Sequence, residues 1–64
     1  MLKPGQVLNN CYRIREMLGQ GGFGAVYRVW DSNLDEPVAI NASKDTSPAA
    51  QKQFQIEAKL LFKL

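Results

Sequence analysis

Gly19, Gly21 and Gly24 form a G-x-G-x-x-G run, Gly22 adds a fourth glycine, and apolar residues lie on both sides. Glycine has no Cβ, so such a loop can turn sharply and bring its backbone N–H groups close to an anionic ligand. A dinucleotide-binding turn needs a helix that starts within the glycines, so that its N-terminus meets the pyrophosphate. Here the glycines run into Val26-Tyr27-Arg28-Val29-Trp30, whose Val and aromatic content is that of a strand. Asp45 only loosely matches the acidic residue of that motif, and no strand ends there. The run is therefore read as a glycine loop between two antiparallel strands. A hairpin that needs its glycines only for turning would carry the same run.

Tyr12, Ile14 and Leu18 share one parity, with Arg13 and Arg15 on the other, which predicts a strand over Cys11–Leu18. Glu16 and Met17 interrupt that alternation. Ala25–Trp30 reads as a second strand, and Asp31-Ser32-Asn33 as a turn opening a loop that ends at Pro37. Val38–Ala42 is a third, short strand. Residues 1–10 read as a lead-in with two turn signals, Pro4-Gly5 and Asn9-Asn10.

Ser47 and Pro48 have the chemistry of a helix N-cap and first helical position. A helix is predicted from Pro48 to Leu64, with Ala50, Phe54, Ala58 and Leu61 on one face. Ile56, Leu60 and Phe62 fall off that stripe, which implies a further packing surface. The expected fold is α+β: an antiparallel three-stranded sheet with a Gly-rich loop, followed by one helix.

Sixty-four residues make one small domain at most. A chain of this size buries only about 60% of the surface it exposes when unfolded. The net charge of +2 is spread over scattered Lys and Arg, with no stripe that suggests nucleic acid. Cys11 is the single cysteine and there is no histidine, so neither an intrachain disulfide nor a zinc site is expected. Residues 1–5 lack the apolar core of a signal peptide, and no apolar run nears the ~20 residues of a membrane span. The segment reads as cytoplasmic.

The order of parts, Gly19-Gln20-Gly21-Gly22-Phe23-Gly24-Ala25-Val26-Tyr27, then Trp30-Asp31, then Val38-Ala39-Ile40, resembles the start of a protein kinase domain. Its wording looks most like bacterial serine/threonine kinases of the eukaryotic type. The likeness covers residues 11–64 as a partial, ATP-binding small lobe. It implies ATP, with magnesium in the complete domain, and a protein substrate. Leu18, Val26 and Ala39 would form the apolar roof over adenine. Gly19, Gln20, Gly21, Gly22 and Gly24 would cradle the phosphates, with Phe23 as a flap. Both roof and sheet core can be served by the same three apolar residues.

The resemblance departs at Asn41, where the family has a lysine that carries charge to the phosphates. Asn can donate a hydrogen bond but cannot neutralise a phosphate. Glu57 matches the family's helix glutamate, the partner of that lysine, or else lies at the edge of the stripe and reaches water. Lys44, three residues along a strand, would be ~10 Å away on the opposite face. Arg28 would be ~13 Å beyond Gly24. No catalytic residue is expected within the chain. The catalytic loop and the magnesium ligands would lie beyond Leu64, in the missing large lobe. The alternative function is a non-catalytic pseudokinase remnant or protein-interaction module.

Overall fold

A computed structural model describes residues 2–44 and 56–64. Its five strands are β1 (Val7–Leu8), β2 (Tyr12–Gly21), β3 (Gly24–Asp31), β4 (Glu36–Lys44) and β5 (Ile56–Lys63). They form one antiparallel sheet in chain order. The expected α+β fold is thus corrected: the described residues are all-β, with five strands rather than three and no helix among them.

The lead-in carries a strand that the sequence pattern did not reveal. Pro4 and Gly5 occupy a turn closed by Gln6 N–H donating to the Lys3 carbonyl at 3.0 Å, with Gly5 at φ 90°. This matches a turn with Pro and then a positive-φ Gly at its centre. Asn9 and Asn10 both take positive φ, 51° and 57°, as the hairpin turn between β1 and β2 demands.

The broken alternation in β2 has a structural cause. Its register with β3 shifts twice, skipping Arg15 and Leu18. Each extra residue flips the side chains that follow to the other face. Ile14 therefore lies opposite Val29, while after the first bulge Met17 lies opposite Tyr27. Arg15, at that bulge, places its guanidinium 5.9 Å from the centre of the Trp30 ring.

One sheet face holds the core: Ile14, Ala25, Tyr27, Val29, Val38, Ile40 and Ala42, joined by Leu2. The partners Ala25↔Ala42, Tyr27↔Ile40 and Val29↔Val38 put it on the two central strands. Pro37, expected to end a loop, lies inside β4 opposite Trp30. It sits next to the strand's first residue, where a missing N–H is tolerated.

The β3–β4 connection is tied by Asp31, which is 4% exposed. Its Oδ1 accepts the N–H groups of Asn33 at 2.8 Å and Leu34 at 3.2 Å. The turn chemistry read from Asp31-Ser32-Asn33 is present. Asp31→Ala should destabilise the fold by about 1.5–3 kcal/mol, the range for hydrogen bonds to a charged group. A urea titration followed by Trp30 fluorescence checks this; an unchanged midpoint would mean that the turn closes without the carboxylate.

The predicted helix is absent over its described part. Residues 56–63 pair with β4, from Lys44↔Ile56 to Val38↔Lys63. Ser47, Pro48, Ala50 and Phe54 lie outside the described residues. The eight residues of β5 would gain little as an isolated helix, because short helices are marginal in water without packing. As a strand they satisfy the open edge of β4. Part of the signal was present in the sequence: Ile56, Ala58 and Leu60 alternate with Glu57 and Lys59, while Leu61 interrupts the pattern at the point where the register with β4 shifts and Phe62 passes to the other face.

Candidate functional site

The glycine run folds more tightly than a six-residue loop. Gly19, Gln20 and Gly21 end β2 and Gly24 begins β3, leaving Gly22 and Phe23 as the turn. Gly21 and Gly24 close it as a cross-strand pair. Gly24 has φ +112°, and a Cβ built there would meet the Ala42 carbonyl oxygen at 2.7 Å and Asn41 Oδ1 at 2.9 Å. Its identity is fixed twice, by backbone conformation and by the closeness of β4. Phe23 stands at the tip, 56% exposed.

Cross-strand partners share a sheet face. Gly19, Val26, Asn41 and Lys59 are partners in sequence across β2, β3, β4 and β5. Glu16, Arg28, Ala39 and Phe62 form a second such row. Val26, Ala39 and Asn41 therefore stand together on the face opposite the core. Leu18 occupies the second bulge beside Gly19 and is exposed. The group is not an open slot: Val26 is half-buried, while Ala39 is fully buried between its neighbours Arg28 and Phe62.

Asn41 braces the hairpin. Its Nδ2 donates to the Phe23 carbonyl at 3.2 Å. Its Oδ1 is buried, with no hydrogen-bond partner among the described residues. The side chain at this position is thus turned toward the backbone of the glycine turn.

Glu57 does not meet position 41. It is exposed in β5 and pairs with Ser43. The residue opposite Asn41 is Lys59, which in the sequence is only one of several scattered basic residues. A helical rather than alternating periodicity for this segment hides its position. Arg28, on the same face, pairs with Glu16 at 3.7 Å. Lys44 lies an odd number of residues from Asn41, which puts it on the opposite face as expected.

A cavity of about 280 Å³ opens where the glycine hairpin meets β4 and β5, lined by Gly21, Ala25, Tyr27, Ala42, Lys44 and Ile56 among others. Its walls include core-side residues, so it is separate from the Val26–Ala39–Asn41 face. Partial burial pushes the Cys11 thiol up from its ordinary value, and the Asp31 carboxylate adds to the shift. A raised thiol is mostly protonated at neutral pH and is a poor nucleophile. Among the described residues no group of acidic or cysteine side chains could hold a metal ion, and no helix is long and apolar enough to cross a membrane.

The chain is 40% identical over 63 residues to the probable serine/threonine-protein kinase YbdM of Bacillus subtilis, covering 94% of this chain and 25% of that protein. It is 36% identical over 59 residues to a probable LRR receptor-like serine/threonine-protein kinase of Arabidopsis thaliana, covering 92% of this chain and 7% of the relative. An L-type lectin-domain containing receptor kinase of the same plant is 43% identical over 47 residues, covering 73% and 7%. The chain thus spans a quarter or less of the length of these relatives. No family model and no solved structure matches it.

Proposed function

We infer that this chain, which belongs to the protein kinase family by its likeness to kinases over most of its length, is an ATP-binding part of a serine/threonine kinase small lobe. The observation that carries the reading is the common face of Val26, Ala39 and Asn41 beside a tight glycine hairpin. An apolar face suits a flat base, and backbone N–H groups at a glycine turn suit phosphate oxygens. In this reading the half-buried Val26 meets the nucleoside and the glycine turn meets part of the triphosphate, while Ala39 lies covered beneath them. Asn41 supplies no charge to the phosphates. Phosphoryl transfer would need a complete kinase domain, in which magnesium would supply charge neutralisation at the phosphates; among the described residues no side-chain group would hold that ion.

Binding should be weak. Ala39 is covered, and one face of a sheet gives little concavity. Titration with adenosine and with magnesium–ATP, followed by amide NMR shifts, should show non-saturating binding through the micromolar range. The shifts should centre on Leu18–Val26 and Ala39–Asn41. No shift there at millimolar ligand, or shifts confined to Tyr27 and Lys44, would remove the reading.

The second reading, a non-catalytic interaction module, is favoured by β5. Ile56, Leu60, Leu61 and Phe62 are exposed large apolar residues, and β5 is an edge strand. Edge strands with apolar side chains invite pairing with another chain. Concentration-dependent association in light scattering, without nucleotide shifts, would favour this second reading.

A further inference from the structure

We propose that Lys59 supplies the phosphate-directed positive charge that position 41 lacks, acting from β5 across the ladder. The proposal rests on the nucleotide-binding reading above and names the group that would contact the anionic end of the ligand. Lys59 is the register partner of Asn41. Directly opposed residues in an antiparallel pair have Cβ atoms about 4.5–5.5 Å apart, and both side chains leave the same face. A lysine stem is long enough to carry its ammonium over Asn41 toward Val26 and the glycine strand end at Gly19. Those two residues continue the same row.

Lys59 is exposed, and among the described residues its ammonium has no ion-pair partner. The other cations differ. Arg28, on the same face, is engaged by Glu16, and Lys63, opposite Val38 on the core-side face, is engaged by Glu36 at 3.4 Å. Asn41 leaves room for the lysine because its own side chain is directed to the Phe23 carbonyl. The two side chains have separate roles, with Asn41 holding the turn and Lys59 carrying the charge. Glu57 opposes this. It lies two residues along β5, on the same face as Lys59 and about 7 Å away. Its carboxylate repels the same anion and lowers the net attraction.

The test uses the 64-residue chain at low salt with three probes: adenosine, magnesium–ATP and inorganic tripolyphosphate. Lys59→Gln should weaken both phosphate-bearing probes about fivefold, the factor for one charge contact near 4 Å in water. It should leave adenosine unchanged, and Lys59→Arg should retain most of the binding. Glu57→Gln should tighten the two phosphate probes. Lys63→Gln, with the same change of charge on the same strand, should have little effect. Retained dispersion of the amide spectrum shows that each variant is folded.

Equal losses for Lys59→Gln and Lys63→Gln would reduce the effect to net charge and overturn the proposal. Absence of tripolyphosphate binding would overturn it as well. Loss of adenosine binding alone, with tripolyphosphate still dependent on Lys59, would instead remove the nucleotide reading and leave Lys59 as an anion contact.

Discussion

Gly24→Ala is expected to unfold the hairpin or to destabilise the chain by about 3 kcal/mol or more. Two costs combine. An alanine at φ +112° is held in a strained backbone region, about 1–3 kcal/mol. Its Cβ would also stand 2.7 Å from the Ala42 carbonyl oxygen, a backbone atom that cannot rotate away. Overpacking of this kind costs about 1–3 kcal/mol. Gly21→Ala is the contrast. There the new Cβ meets Phe23 Cε1 at 2.6 Å, but that ring is 56% exposed and can swing into solvent. Its cost should be below about 1 kcal/mol. Urea titrations of the two variants separate these cases. Equal midpoints would mean that the turn does not have this geometry.

Ile40→Ala is expected to cost about 2–5 kcal/mol, enough to abolish folding in a domain this small. Ile40 has no exposed surface, sits in a central strand, and has Tyr27 and Leu60 as its register partners. Removing its side chain opens a cavity in a core that has few other large members: Ile14, Val29 and Val38 are the remaining largest fully buried side chains. Leu60→Ala, on the edge strand and 42% exposed, should cost well under half as much. The pair also tests β5. If Leu60→Ala has no effect at all while Ile40→Ala is severe, Leu60 does not lean on Ile40 and the β4–β5 register is wrong.

The part of the fold that the sequence specified is the part governed by local chemistry. Val26-Tyr27-Arg28-Val29-Trp30 and Val38–Ala42 have the branched and aromatic residues that suit a pleated, half-buried surface, and both lie within strands. Asp31 and the pair Asn9-Asn10 marked turns because their side chains or left-handed tolerance make those turns. In the sequence, Val26 and Ala39 are joined, with Leu18, only by the resemblance to protein kinases; the β3–β4 register puts these two on one face together with Asn41.

Other features depended on partners distant in sequence. The bulges at Arg15 and Leu18 appear in the sequence only as an interrupted alternation; the pairing with β3 shows which residues are extra. Ile56–Lys63 carries a helical stripe and, as far as Leu60, an alternating pattern, and most of its residues are good helix formers. The free edge of β4 decides for the strand, because a ladder satisfies backbone groups on both strands at once. That same pairing moves Glu57 opposite Ser43 and brings Lys59 opposite Asn41. The sequence by itself determined the glycine hairpin, the strands on either side of it and an uncharged Asn at position 41. Which charge stands beside Asn41 was decided by register, a relation between strands that local periodicity does not contain.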